Sequence, residues 1–558
     1  MVKRILSFVG REISGLHEAA YLLAGSALAS LLFALIRDRL LAHILGASTK
    51  LDVYYAAFRV PDLIFVAVAG LVSASVIVPL LSAEHEKGHD ALRATVQSLF
   101  SSFLVLILVV CAVAWVTLPW IDRLLYPALF ARGTGGELVA TSRILLLSPI
   151  LLGLSGFFGS ITQVKGRFLV YALATPLYNV GIILGILFFL PVAGVPGLAW
   201  GVGLGAALLC IVQIPYLVRD GLFPRGSVRF SWSRIKPVAL LSIPRTLTLS
   251  SQQLSTLSLV SFASYLGAGS ISVFNLAQNL QSVPLSLIGA SYSSAAFPVL
   301  SKLLAEDKRE EYVAKVAAAA RHIAFWAIPI TVFFIVLRLQ IVQVVLGSGQ
   351  FNISDERRTA AALALFVISS SAQCLQLLFV RSFYAEGKTA RPLYMNLICM
   401  ALTVILGAGL VKAFHAFPVF AAFFESLLRT TGAGDSSVLM LPLAFSVGAF
   451  LNLYLHWRSF SREFPSFTRS ITRSAFQSIG AAVVGGYLAH LCVGWFAGAF
   501  GRSAFGVLFL GLSAGAVGML LSVVILAVLR NPELRDIALA LRSRIWKIDR
   551  SSLDRVPS

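Results

Sequence analysis

Charge is what this sequence has least of. Asp, Glu, Lys and Arg make up 13% of its 558 residues, about half the share usual in a soluble domain. That excludes an ordinary water-soluble globular protein. Acid is scarcer than base, at 25 Asp and Glu against 45 Lys and Arg. Cysteine is rare as well. Cys111, Cys210, Cys374, Cys399 and Cys492 all stand inside apolar runs, at spacings that suit neither a metal nor a redox pair, and read as small core residues. There is no Walker loop and hence no ATP engine. There is no His/Glu metal cluster, and no loop longer than about 20 residues that would hold a soluble catalytic domain. His85, His89 and His322 read as solvated loop residues. An enzyme acting on lipid-linked sugars would need carboxylates or histidines grouped at one membrane face, and no such set is found.

What is present is apolar sequence. Hydrophobic residues make up 58% of the chain and mean hydropathy is +0.86. Runs of about 20 apolar residues, enough to cross a bilayer, recur from end to end. In lipid each run must pair its own backbone groups, so the runs are helices. The short alternating segments of an outer-membrane barrel are missing. The expected class is an all-α polytopic membrane protein of about 14 spans. They fall near 18–45, 52–82, 94–118, 140–162, 168–190, 195–218, 237–265, 271–300, 320–346, 359–384, 391–412, 437–457, 472–496 and 504–529. The basic N-terminus resembles a signal peptide, but its first apolar run continues past the would-be cleavage site into Arg37. It therefore reads as a retained first helix.

Lys and Arg are unevenly distributed among the loops. With the N-terminus inside, roughly two thirds of them fall on cytoplasmic segments such as 219–236, 301–315, 456–473 and the tail after Arg530. This positive-inside bias places both termini in the cytoplasm. It also accounts for much of the +20 net charge through contact with anionic headgroups, without nucleic acid. The tail has amphipathic helical spacing with a basic face and is expected to lie on the cytoplasmic surface.

The chain repeats itself. Leu45-Gly46-Ala47 matches Leu266-Gly267-Ala268, Val53-Tyr54 matches Val273-Phe274, and Pro79-Leu80-Leu81-Ser82 matches Pro298-Val299-Leu300-Ser301. A second pair ends at Asn179 and Asn396. The offset holds near about 220 residues, or six helices, so the repeats are parallel, as in transporters whose two bundles rock about a shared site. The expected layout is a first lobe at 1–220, a second at 221–470, two extra helices at 471–530 and the basic tail at 531–558.

Against this background the stretch "ALIRDRLLAHILGASTKLDVYYAAFRVPDLI" is unusual. It carries Arg37, Asp38, Arg39, Lys50, Asp52, Arg59 and Asp62 within or beside apolar spans. Ionisable groups in spans usually face a bundle interior or an aqueous path. Elsewhere Arg245, Arg338, Arg381 and Lys412 lie in or at the edges of spans. Arg338 and Lys412, near span ends, read as snorkelling side chains. Arg245 follows Pro244, which can break a helix and open backbone groups to a cavity. An excess of arginine suits an anion, and the guanidinium fork suits phosphate.

The run Arg37-Asp38, Leu45-Gly46-Ala47, Asp52 and Phe58-Arg59-Val60-Pro61-Asp62-Leu63 resembles the MurJ (MviN) family of the multidrug/oligosaccharidyl-lipid/polysaccharide exporter superfamily. "SISVFNLAQNLQSVPLSLIG" and "RSFYAEGKTARP" resemble its second half. The resemblance implies a flippase carrying lipid II, the undecaprenyl-diphosphate-linked peptidoglycan precursor, to the outer leaflet of the bacterial inner membrane. It implies alternating access between two six-helix lobes around a cationic cavity, with a groove for the polyprenyl tail beside the two extra helices. It implies functional importance for Arg37 and Asp52, with Arg59 in the place of a basic residue. Three other cationic positions of the family fall here on Leu31, Phe65 and Asn279, and acidic ones on Gly70, Gln278 and Ser282. The acids of a sodium site found in some members are not evident.

The expected site is thus Arg37 holding phosphate, steered by Asp38 or Asp52. Arg59, Arg245 and Arg381 line the route, and Gln253, Gln278 and Asn279 hydrogen-bond the sugar or peptide. No metal and no resident cofactor are expected. The membrane potential, H⁺ or Na⁺ is the candidate energy source. The expected partners are the polyprenyl-diphosphate sugar and membrane lipids, around a monomer that can meet cell-wall synthesis proteins. Two alternatives stay open: a flippase for another polyprenyl-diphosphate glycan, and a non-transporting scaffold of the cell envelope.

Overall fold

The computed structural model describes residues 16–69, 74–165, 167–224, 232–498, 500 and 503–545, and no strand occurs among them. The first bundle comprises α1 (Leu16–Leu45), α2 (Thr49–Ala57), α3 (Arg59–Ala69), α4 (Ala74–Glu86), α5 (His89–Leu125), α6 (Pro127–Ala131), α7 (Gly135–Leu145), α8 (Leu147–Val164), α9 (Phe168–Leu184), α10 (Leu190–Ala193), α11 (Val195–Ile211) and α12 (Ile214–Arg219). The second comprises α13 (Trp232–Ser264), α14 (Ser270–Pro284), α15 (Ser291–Ala305), α16 (Arg309–Val336), α17 (Arg338–Val345), α18 (Ile353–Val367), α19 (Ser370–Ala385), α20 (Ala390–Ala416), α21 (Pro418–Leu428) and α22 (Met440–Glu463). Then come α23 (Ser466–Phe496), α24 (Ala504–Val528) and α25 (Pro532–Ile545). Helices α23 and α24 pack on each other and on α16 and α17. Glu533 at the start of α25 is tied to Arg321 at 2.8 Å and to the Ser474 hydroxyl at 2.6 Å.

Among the described residues, 10 helical runs are long and apolar enough to cross a membrane, and α18 with α19, bent by 41°, makes an eleventh. The expected spans at 18–45, 52–82 and 237–265 fall on α1, on α2 to α4 and on α13, outside that count. The second of these is broken rather than continuous. Pro61 has no N–H to donate back one turn, so the helix stops at Phe58 and restarts at Arg59. The span expected at 320–346 also breaks, at Leu337, and Arg338 opens α17.

Two expected loops are helical. His322 lies within α16, which begins as far back as Arg309, and its ring stacks on Tyr292 with centroids 6.2 Å apart. Residues 418–428 form α21, started by Pro418 at its first turn. Val419, Phe423 and Leu427 recur at helical spacing and are exposed, an apolar face of the kind that lies against a bilayer surface.

Among the described residues the apolar packing between the bundles is concentrated on one side. On the face away from the basic loops, called here the far face, a single apolar core runs through both, from Leu41 and Tyr54 through Ile182 to Phe274, Phe366 and Leu441. Toward the basic face the core splits. Ile77, Phe157 and Ile161 belong to a cluster of the first bundle, and Leu300, Tyr312 and Phe379 to one of the second. There the repeat equivalents α4 and α15 pack chiefly inside their own bundles.

Within the first bundle α9, continued by a π-helical turn at Gly185–Phe189, crosses α11 backbone to backbone. A Cβ added to Gly201 would meet Gly185 Cα at 2.4 Å, and one on Gly181 would meet Gly205 Cα at 2.2 Å. Small residues four apart on both helices permit this approach, and in lipid such packing replaces the hydrophobic drive. Gly203, on the same helix, has nothing within 4 Å. Gly201→Ala is expected to destabilise the detergent-solubilised protein by about 1–3 kcal/mol through overpacking, and Gly203→Ala to leave it unchanged. Thermal unfolding followed by tryptophan fluorescence compares the two, and equal midpoints would contradict the packing argument.

Candidate functional site

Where the bundles meet, the loops after α1 and α13 lie against each other. These are the repeat equivalents Leu45-Gly46-Ala47 and Leu266-Gly267-Ala268. Gly269 has φ +83°, and a Cβ there would meet the Ala47 carbonyl oxygen at 2.2 Å. Gly46 has φ +61°, and a Cβ there would meet the Gln350 carbonyl oxygen at 2.7 Å. Glycine at both positions therefore supplies the turn and the close approach together. The backbone N–H of Gln350 donates to the His43 carbonyl at 2.9 Å. Arg39 donates to the Val344 carbonyl, and Arg132 to that of Leu266.

Asp52 closes this seam. It sits in the first turn of α2 and is 1% exposed. Its carboxylate accepts from the backbone N–H groups of Gly269 and Ser272 and from the Ser272 hydroxyl, each at 2.7 Å. Those amides are the unpaired donors at the start of α14, where a negative charge is favoured. Asp52 thus caps a helix of the other bundle. In this conformation its carboxylate is bonded to Gly269 and Ser272 of the other bundle, whereas the sequence suggested a group that steers Arg37. Ser272 is the repeat equivalent of Asp52, so the contact joins matching positions of the two halves.

Below the seam lies the charged cluster. Arg37 Nε donates to Asp38 at 2.9 Å, and its Nη1 to the Asn179 side chain at 3.0 Å. Asn179 is itself held by the carbonyl and hydroxyl of Ser30, at 3.2 and 3.3 Å. Asp38, 2% exposed, accepts a second bond from Asn279 of α14 at 3.0 Å. Asn279 occupies the position where the family has an arginine, and here it links the bundles. Arg59 donates to Asn275, also on α14, while its Nε has no hydrogen-bond partner. Asp62, Tyr54, Tyr55 and Tyr178 share this electrostatic neighbourhood.

Of the expected site residues, Arg37, Asp38, Arg59 and Asn279 therefore converge, with Asp52 above them. Gln278 and Gln253 are half-buried on α14 and α13. The side chain of Arg245 lies outside the described residues. Arg381 is half-buried on α19, about one turn from the basic-face end, whereas Arg37 is about two turns from the far-face end of α1. The two stand at opposite depths, so Arg381 does not join the cluster. Three tyrosines and Asn179 join it unforeseen. Tyr54-Tyr55 sit inside the charged motif itself, and Asn179 ends one of the repeated segments.

The matching position in the second bundle is built differently. Asn396 accepts from Gln376 at 3.3 Å and from Asn452 at 2.9 Å. They line a cavity of about 40 Å³ with Ser251, Gln252 and Gln373, and no charged group lines it. Among the described residues no group of three His, Cys, Asp or Glu is placed to hold a metal.

Two repeat-related helical bundles that enclose a polar cluster and carry two added helices define the fold of a MOP-superfamily exporter. An inward-facing multidrug-resistance MATE transporter of that superfamily superposes with a TM-score of 0.62 at 15% identity, over 79% of this chain and 96% of its own. A lipid II flippase MurJ in an inward closed conformation superposes with a TM-score of 0.71 at 20% identity, over 91% and 99%. The family profile described as lipid II flippase MurJ matches residues 41–511. The chain belongs to the MurJ family. Lipid II flippase MurJ of Burkholderia cenocepacia is 27% identical over 86% of this chain and 90% of its own. A probable lipid II flippase MurJ of Bdellovibrio bacteriovorus is 27% identical over 72% and 80%.

The clamp has a measurable consequence. Asp52→Ala leaves the Gly269 and Ser272 donors unpaired at the seam, which is expected to weaken closure by about 3 kcal/mol. Spin labels at Lys50 and Thr431 should then report a longer interlobe distance in the variant. An unchanged distance distribution would show that Asp52 does not hold the seam.

Proposed function

We propose that this chain flips lipid II from the cytoplasmic to the outer leaflet of the bacterial inner membrane, with the basic face in the cytoplasm. The observation that carries the reading is the Arg37–Asp38–Asn179–Asn279 cluster, set directly beneath a sealed far face in a chain of the MurJ family. A diphosphate entering from the basic side competes with Asp38 for the guanidinium fork of Arg37. Asp38 is also a bridge to α14. Taking Arg37 from it changes the contact between the bundles, so occupancy and conformation are coupled through one carboxylate. A ligand shifts such an equilibrium only by binding one state better, and this competition supplies that difference. Arg59 adds positive charge beside the cluster. Gln278 and Gln253 offer neutral donors and acceptors to sugar or peptide.

The chain acts as a transporter and not as an enzyme, and its cycle needs no resident cofactor. An anionic headgroup moves outward with the electric field, which contributes about 2.3 kcal/mol per charge at 100 mV. The neutral cavity around Asn396 favours the potential over a cation bound there as the energy source.

Proteoliposomes with an imposed potential test the reading. Lipid II should flip with the wild type, and Arg37→Ala should slow it at least about tenfold, the cost of one charge-assisted phosphate contact. Asp52→Asn should also be slow, through gating. If folded wild type flips a different polyprenyl-diphosphate glycan but not lipid II, the substrate assignment fails and the fold assignment stands.

A further inference from the structure

On the far face, away from the seam, a second cationic feature has no part in the cycle above. A cavity of about 780 Å³ lies between the α16–α17 break, α18, the end of α21 and α23. Arg338, Arg357, Arg429 and His490 line it, and no carboxylate does. Nearby acids are engaged elsewhere or lie outside the lining. Asp355 binds Arg358 at 2.7 Å, and Glu356 accepts from Gln343 at 3.0 Å. Glu425 sits one turn before Arg429 and is not part of the wall. Arg338 is half-buried, and Arg429 stands close enough to repel it.

Such a grouping is unfavourable by itself. Like charges gathered at a low-dielectric boundary repel, and a face opposite the basic loops is where few cations are expected. Arg429 adds a backbone cost. It ends α21 at φ +59°, in the left-handed conformation that usually falls to glycine. A side chain there costs roughly 1 kcal/mol. A bound anion removes the repulsion. Beside Gln340, Ser426 and Thr431, the rest of the wall is apolar and includes Ile335, Leu339, Leu427 and Val493. Free phosphate has no use for such a wall, whereas a phosphate attached to a hydrocarbon chain does.

We propose that this cavity binds the phosphate of a membrane lipid in the far-face leaflet. Arg338, Arg357 and Arg429 grip the phosphate oxygens and the chain lies along the Leu339 and Val493 wall. The planar guanidinium fork can give two parallel N–H groups to two oxygens of one phosphate. His490 comes from α23, so the occupant spans the second bundle and the added helices and joins them. The site is separate from the Arg37 cluster and does not depend on what that cluster carries.

Native mass spectrometry of the full chain, titrated with phosphatidylglycerol, phosphatidylcholine, undecaprenyl diphosphate and inorganic pyrophosphate, tests the proposal. The wild type should retain one phosphatidylglycerol or undecaprenyl diphosphate at least tenfold more tightly than R338Q/R357Q/R429Q does. Phosphatidylcholine should be the weaker lipid, because its choline opposes the arginines. R429Q alone, at an exposed position, should lose threefold or more, and it carries the test if the triple variant does not fold. Arg37→Ala should leave the retention of phosphatidylglycerol intact, which separates this site from the transport site. Equal retention of lipid by wild type and R429Q would overturn the proposal. So would tight binding of pyrophosphate with no preference for either lipid, which would make the site one for a free phosphate.

Discussion

A single carboxylate organises the closed side of this molecule. Asp52 gives its lone pairs to the open end of a helix in the other bundle and thereby settles two problems at once. A buried charge needs partners, and a buried helix start needs acceptors. Neither bundle can satisfy its own need at this point, so each holds the other. The glycines at 46 and 269 are what let the backbones come near enough for the exchange. Around it the apolar core becomes continuous, and beneath it the arginine cluster is shut off from the far face.

The cluster follows from the clamp. Because α14 is fixed at its first turn by Asp52, its next turns present Asn275 to Arg59 and Asn279 to Asp38. One helix of the second bundle thus reads three successive acidic or basic groups of the first. The neutral residues at 278, 279 and 282 remove charges that relatives of this family carry, and the structure shows what at least one replacement does. An amide at 279 bonds to Asp38 where an arginine would pair with it. The charge of the site is consequently concentrated in the first bundle, while the second contributes amides and a neutral pocket. The two repeats have kept one backbone plan and divided the chemistry between them.

Much of this was legible in the sequence. Apolar runs gave the membrane class, Lys and Arg the two faces, and the half-to-half match the bundles. The opening motif brought out Arg37, Asp38 and Arg59 as charges in a span that need company, and the structure pairs Arg37 with Asp38 and sets Asp38 and Arg59 against α14. What was hidden depended on contacts across the chain. Nothing local says that Asp52 caps a helix more than 200 residues away, or that Asn179 holds Arg37. Depth was hidden too. Arg381 has the surroundings of a site residue in sequence, yet it sits near the other membrane face. The crossing glycines at 181, 185, 201 and 205 were readable as small residues four apart. The breaks at Phe58 and Leu337 differ in kind: Pro61 announces the first, and no residue announces the second.

The continuous apolar core on the far face must be parted whenever the molecule opens in that direction. Burial of this kind carries a heat-capacity signature, since the hydration of separated apolar surfaces stores heat that packed surfaces do not. Parting the far face is therefore a thermally curved process. On the basic side the apolar clusters of the two bundles are separate among the described residues. The far-face seal is thus tightest at an intermediate temperature and parts more readily on either side of it, a property of the interior that exists before any substrate arrives.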